Sequence, residues 1–547
     1  MRAGAMEARQ AGVGNAAAGA LAGTGALMRL IVRRDRVVLA IWIVLPALLA
    51  VGVAAAFEEL YPTAADLQAF AGTVAASPGE LALLGPVYAP TLGGLVAWRW
   101  AMIGMVVAGL ASLLTVIRHT RSEEAAGRRE LLGATVAGRQ APLAAALGVT
   151  LGGNVLLAAL VAAGLSARGL PPAGSVALGL SVAAMGATMA AVAAVAAQLT
   201  QSPGAARGLA GCGLALFFLL RAVGDAGGPG WLSWLSPAGW MRLVRPYAGE
   251  RWWVLGLFAA AGGLLVAAAF ALSARRDLDA GVLPVRPGPA EASPAMGSAW
   301  ALAWRLQRGT LLGWTAAYAV LGVATGFLAQ TVSEQLMANP QLVDYFRRLS
   351  GGATPGEAFL TLALLLIGEV ATAYALQATL RLRAEETGNR ADPVLATATG
   401  RLRWAAGHLA VAALGSVVVL LALGLVAGLA YGLSAGNVGH VLPRVIVAAL
   451  AYVPALWVLA GLAAALFGLL PRLAVPLSWG ALAAVLLLEL GGELQQVSQG
   501  VLDLSPFAHV PRLLVGQGAS AAPGWLAAAA AVLVGAGLVG LRRRDVG

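Results

Sequence analysis

Apolar runs near or above the ~18–20 residues needed to cross a bilayer alternate along this chain with short stretches rich in arginine, glutamate, glycine and proline. In the first half they fall near 37–57, 98–117, 142–167, 175–198, 208–224 and 252–274. In the second they fall near 311–330, 358–380, 405–433, 440–467, 474–491 and 524–541. The pattern predicts an all-α polytopic membrane protein with about twelve transmembrane helices. A Pro-, Ala- and Gly-rich stretch reads as flexible chain and divides the sequence into four parts. These are a tail (1–24), a six-span half (25–274), a linker (275–299) and a second six-span half (300–547). The tail is Ala/Gly-rich without a compact apolar core, so no cleaved signal peptide is read there.

Composition agrees. Hydrophobic residues make up 59% and charged residues 11%, and mean hydropathy is +0.81, far from a soluble globular domain. The net charge of +11 is carried by arginine alone, since no lysine occurs. Its distribution follows the positive-inside rule and does not point to nucleic acid. The loop 58–97 has Glu58, Glu59, Asp66 and Glu80 but no arginine, and is expected outside. The next loop holds Arg118, Arg121, Arg128, Arg129 and Arg139, and the tail ends Arg542-Arg543-Arg544. Both are expected in the cytosol, as are the two termini. Basic segments before the first span of each half, Arg29 to Arg36 and Arg305 to Arg308, read as interfacial amphipathic helices.

One charged loop is written twice. The first copy is Arg121-Ser-Glu-Glu-Ala-Ala-Gly-Arg-Arg-Glu-Leu-Leu-Gly-Ala-Thr-Val-Ala-Gly-Arg139. The second is Arg383-Ala-Glu-Glu-Thr-Gly-Asn-Arg-Ala-Asp-Pro-Val-Leu-Ala-Thr-Ala-Thr-Gly-Arg401. They share the flanking arginines, the Glu-Glu pair, one internal Arg, Ala-Thr and Gly, which marks an internal repeat. Both copies are arginine-rich and so lie on one side. An even number of spans must separate them, and the halves are parallel repeats, not inverted ones. Arg121/Glu124 and Arg383/Glu386 stand at i, i+3; Glu124/Arg128 and Glu386/Arg390 stand at i, i+4. Such pairs support a short charged helix by a few tenths of a kcal/mol each. Its carboxylates, Glu123, Glu124, Glu385 and Glu386, are expected to face a soluble partner.

Other chemistry is sparse. The four histidines are scattered and the single Cys212 lies in a span, where small-residue packing is expected. A phosphate-binding G-x-x-x-x-G-K-[ST] loop is impossible without lysine. If ATP drives this protein, another polypeptide hydrolyses it. Glu369 sits mid-span, where a carboxylate costs roughly 2.5–3.5 kcal/mol or more. It is expected inside, near a substrate path, or as a neutral hydrogen-bonded structural acid. Gly424, Gly428 and Gly432 predict close helix packing, and Trp231, Trp234, Trp240, Trp252 and Trp253 an interfacial belt. Aligning Ser236-Pro237 with Ser505-Pro506 brings Arg221 within one residue of Glu489. The alignment predicts a salt bridge that seals an outer gate. The alternative has Arg221 snorkelling to headgroups and Glu489 bound to nearby re-entrant backbone.

The segments Arg33-Arg-Asp-Arg36, Glu59-Leu-Tyr-Pro62 and Thr120-Arg-Ser-Glu-Glu-Ala-Ala-Gly-Arg-Arg-Glu-Leu-Leu132 carry a resemblance. They resemble the membrane subunit of actinobacterial ABC exporters of polyketide antibiotics, type-2 ABC permeases with two six-span halves fused in one chain. The resemblance implies a location in the bacterial cytoplasmic membrane. It also implies a coupling helix after each half's second span, the place of Arg121, Glu123, Glu124, Arg128, Arg383, Glu385, Glu386 and Arg390. A second cytosolic contact would follow the fourth span, at Gln201-Ser-Pro-Gly204 and Pro471-Arg472. Re-entrant helices would precede the sixth, at Trp234-Leu-Ser-Pro237 and Asp503-Leu-Ser-Pro506. The chain itself would hold no catalytic, cofactor or metal site. ATP and Mg would be bound by two copies of a soluble ABC ATPase, and the cargo would be a hydrophobic or amphipathic small molecule of polyketide type. Asp392-Pro393, where the first copy has Glu130-Leu131, predicts an earlier break in the second loop. A proton-coupled secondary drug transporter of the major facilitator type is the alternative. Gly127-Arg-Arg129 mimics only the tail of its loop signal, and the Glu-Glu pair and long first external loop do not fit. A polytopic transferase would need a convergent carboxylate or histidine cluster that the sequence lacks.

Overall fold

The computed structural model describes residues 19–75, 81, 84–225, 230–277, 280–283, 297–337, 354–493, 498–516, 518 and 520–544. It divides into two compact units, Met1–Pro287 and Gly288–Gly547. No strand occurs among the described residues. Eleven helices there are long and apolar enough to cross a membrane, and an apolar helix over Ala474–Glu489 is shorter. The chain is an all-α polytopic membrane protein, and each of the twelve expected spans falls in helix.

In unit 1 the spans are Thr24–Leu60, Leu92–His119, Ala141–Ala167, Pro172–Leu199, Pro203–Asp225 and Val254–Arg275. Local chemistry sets their ends: the Thr91 side chain caps the second by accepting from Gly94 N at 3.2 Å, and the fourth begins on Pro172, which needs no N–H partner at that position. The first span turns Trp42, Ile43, Ala47, Ala50 and Ala54 inward and leaves Val37, Ile41, Leu45 and Leu48 on its outer face. The fourth span is built largely of Ala and Gly and packs with its backbone close to its neighbours. A methyl group on Gly186 would meet Asn154 Oδ1 at 2.0 Å.

In unit 2 the spans are Ala299–Met337, Pro355–Thr379, Arg401–Ser434, a pair of helices Val438–Leu450 and Val453–Leu469, then Ala474–Glu493 and Ala522–Arg543. Thr354, Pro355 and Glu357 start the second with a full capping box, which satisfies two orphan N–H groups reciprocally. Gly424, Gly428 and Gly432 do bring two helices together: a Cβ on each would lie 2.9–3.1 Å from Ala449, Leu442 and Val438. The sixth span lies on the fourth backbone to backbone. Cβ atoms on Gly468 and Gly537 would stand 2.0 Å from Gly537 O and 2.3 Å from Ala464 O. This close approach puts the last turns of those two spans side by side.

Two expectations are corrected. The basic segment Arg305 to Arg308 is not a separate interfacial helix, because it continues unbroken into the first span of its unit. Arg29 to Arg36, by contrast, straddles a kink at Asp35 (φ −106°, ψ 16°) that separates two helices. Cys212 is exposed on its helix and so is not a packing residue. Before the sixth spans, short helices do form at Trp231–Trp234, Pro237–Leu243, Gln499–Leu502 and Phe507–His509. Ser236 and Ser505 cap them alike, accepting from Ala238 N at 3.1 Å and Phe507 N at 3.2 Å.

Candidate coupling site

Each copy of the repeated loop folds as two short helices with a break between them. In unit 1 these are Arg121–Ala125 and Arg128–Gly133, and in unit 2 Arg381–Thr387 and Ala391–Leu395. The breaks fall at Gly127 (φ +69°) and Asn389 (φ +53°), both left-handed and both residue types that accept that conformation. The two positions correspond in the repeat, so the earlier break expected from Asp392-Pro393 does not occur. Pro393 sits inside the first turn of its helix, where no intrahelical hydrogen bond is asked of its nitrogen.

The break also changes the pairing. Arg121 meets Glu124 at 3.0 Å and Arg383 meets Glu386 at 2.8 Å, as the i, i+3 spacing predicts. Arg128 and Arg390, however, fold back past the break onto the first glutamate of each pair. Arg128 grips Glu123 in bidentate fashion at 2.6 and 3.0 Å, and Arg390 reaches Glu385 at 3.0 Å. The expected Glu124/Arg128 and Glu386/Arg390 pairs assumed one continuous helix. The bond to Glu123 raises the pKa of the exposed Arg128, whereas burial lowers that of Arg129 against the pull of Glu124.

The glutamates do not face outward, which corrects a second expectation. Glu124, Glu385 and Glu386 are buried, and Glu123 keeps 16% of its side-chain exposure. Arg34 meets Glu123 at 2.7 Å. Just behind it, Asp35 is held by Arg118 at 2.9 Å and His119 at 2.7 Å, which fastens the kinked first span to the end of the second. The second glutamate of each pair is fastened to the end of its own unit's sixth span. Arg276 donates to both oxygens of Glu124 at 2.7 Å, and Arg544 lies 2.8 Å from Glu386. From the far end of each loop Arg139 donates to the carbonyls of Ser273 (3.1 Å) and Arg276, and Arg401 to that of Arg544 (2.7 Å). The same clasp is therefore built twice, from corresponding residues. Sequence reading missed Arg276 and Arg544, although the signal was present: Arg-Arg-Asp follows both sixth spans, at 275–277 and 543–545.

A family model described as the C-terminal domain of the multidrug efflux system permease Rv1217c matches residues 296–542. The chain is 44% identical over 525 residues to the multidrug efflux system permease protein Rv1217c of Mycobacterium tuberculosis, covering 96% of this chain and 95% of that one. The chain belongs to this permease family. The matched C-terminal domain includes the second loop, Glu369 and Glu489.

The remaining residues expected at a site lie elsewhere in this permease. Glu369 is 1% exposed in the second span of unit 2, so it does turn inward. Arg221, in the fifth span of unit 1, is buried, lies 3.4 Å from Asp225 and stands over the Phe218 ring at 4.8 Å. Glu489, late in the fifth span of unit 2, lines a cavity of about 200 Å³ with Tyr452, Gln499 and Arg512. Arg221 and Glu489 thus belong to different units.

Proposed function

We propose that this permease is the membrane-spanning subunit of an ATP-driven exporter that carries hydrophobic or amphipathic drugs out of the cell. Two soluble ATPase subunits would engage its two cytosolic loops. The observation that carries the reading is the duplicated clasp. A partner with two equivalent subunits needs two equivalent contacts, and each clasp joins a loop to the end of a span that crosses the bilayer. Leu131 (74% exposed) and Val136 (94% exposed) give the first loop an apolar surface for that partner. The buried glutamates bind the loop to its own permease half, so that a push on the loop moves the sixth span with it. ATP would bias the inward- and outward-open states by its differential binding to them. Cargo of polyketide type is part of this proposal, supported by a largely aliphatic interior, as is a location in the bacterial cytoplasmic membrane with both termini in the cytosol. The relative's name, a multidrug efflux permease, supports export over uptake.

The reading is tested in inverted vesicles with a fluorescent amphipathic drug. Uptake is expected only when the soluble ATPase subunit and ATP are present, and it should persist after an uncoupler collapses the proton gradient. Uptake by this chain alone, abolished by the uncoupler, would establish a secondary transporter.

A further inference from the structure

The chain segment that follows the sixth span of unit 1 does not simply leave the protein. Residues 280–283 lie along the last turn of the fourth span, where Val282 N donates to Gln198 O at 3.1 Å and Leu283 N to Leu199 O at 3.0 Å. Carbonyls at a helix C-terminus lack intrahelical partners, and this segment supplies them. Ala280 O in turn accepts from Arg121 at 3.0 Å and Arg276 at 2.8 Å. Gly281 is required by the fit, since a Cβ there would stand 2.8–2.9 Å from the backbone of residues 199–201. An Ala-Gly-Val segment, preceded in sequence by Asp277 and Asp279, is thus seated between the loop, the fourth span and the sixth.

Unit 2 contains the same three walls. The fourth span ends at Leu469 with Leu470 N bonded to Leu466 O, as Thr200 N is bonded to Ala196 O in unit 1. Arg383 and Arg544 take the places of Arg121 and Arg276. There the walls border an open groove of about 800 Å³, lined also by Arg472 and Arg543 and by Leu469, Leu470 and Leu473. The three leucines are about half exposed, at 59%, 50% and 49%. Glu386 is the one acid in the lining and is already bound by Arg383 and Arg544. Arg472 and Arg543 have no acidic partner among the described residues.

We infer that this groove is a docking seat for an extended, acidic, glycine-containing segment of the soluble ATPase subunit. Backbone N–H groups of that segment would bond the carbonyls ending the fourth span, and its carboxylates would meet Arg472 and Arg543. Charge complementarity and the chain segment held in the corresponding seat of unit 1 favour a peptide over an anionic lipid. The inference rests on the reading of the chain as an ATPase-driven permease. It goes beyond that reading by giving the two halves different contacts, with the chain's own linker in one seat and the partner in the other.

The test uses full-length protein in phosphatidylcholine nanodiscs and a fluorescein-labelled peptide, Asp-Leu-Asp-Ala-Gly-Val-Leu, followed by anisotropy. Saturable binding is expected. Arg472→Glu with Arg543→Glu should weaken it at least tenfold, and so should valine in place of the peptide's glycine. Binding indifferent to both changes would overturn the inference. So would displacement of the peptide by phosphatidylglycerol in the nanodisc, which would assign the seat to a lipid. In the complex with the ATPase subunit, a photocrosslinker at position 470 should capture that subunit. If ATP-driven uptake is intact and position 470 does not crosslink, the docking inference fails and the proposed function stands. If ATP drives no uptake at all, both fail.

Discussion

At the scale of single residues, burial separates two glutamates that the sequence writes side by side. Glu124 (3% side-chain exposure) is ringed by Arg121, Arg129 and Arg276. Glu123 bonds to Arg34 and Arg128, which are 43% and 51% exposed. Breaking a buried pair strands the remaining charges and costs roughly 3–5 kcal/mol, whereas solvent-screened pairs contribute about 0–1 kcal/mol. Glu124→Ala should therefore lower thermal stability in detergent strongly and Glu123→Ala hardly at all. Equal losses would contradict the structure. Glu369 permits a second expectation. It is buried in a membrane span, and the amide in Glu369→Gln keeps shape while removing charge. Export should change with little loss of folded protein if the residue borders the drug path. If Gln behaves as the parent and only Glu369→Leu reduces expression, the residue is structural.

At the scale of elements, the spans were legible because length and hydropathy decide them, and the repeat was legible because its residues recur. The fold of the loop was not. The i, i+4 rule holds only within one helix, and a single left-handed residue, Gly127 or Asn389, moves each arginine to the neighbouring glutamate. Glycine advertises such a break; asparagine advertises it less. Which way the glutamates point also could not be read locally, since their partners Arg276 and Arg544 come from elements far along the chain. The repeated Arg-Arg-Asp was the usable signal. Gly127 has open space around its Cα, so Gly127→Ala tests conformation alone, with a cost of about 1–2 kcal/mol for a left-handed alanine. Drug transport per ATP hydrolysed should fall. Asn389→Gly, which relieves rather than imposes strain, should keep the ratio. A Gly127→Ala protein with unchanged coupling would show that the break is incidental.

At the scale of the whole molecule, the two units are alike in the clasp and unlike beside it. Both build the clasp from the second glutamate of the pair, the arginine after the sixth span and the arginine closing the loop. Only unit 1 lays its own following segment against the fourth span among the described residues, while unit 2 borders a groove. The loop sequence written twice explains the likeness.

The claim that the clasp carries work from loop to span is tested most directly by cutting and restoring its link to the sixth span. Drug transport and ATP hydrolysis are measured together in vesicles for Arg276→Ala and Arg276→Lys. The alanine variant releases the sixth span while Arg121 and Arg129 still pair Glu124, so it should keep ATP hydrolysis and lose transport. The lysine variant keeps an opposite charge in the same place and should restore transport at least in part. An alanine variant that still transports normally, or a lysine variant that hydrolyses ATP and remains as inactive in transport as alanine, would contradict the account.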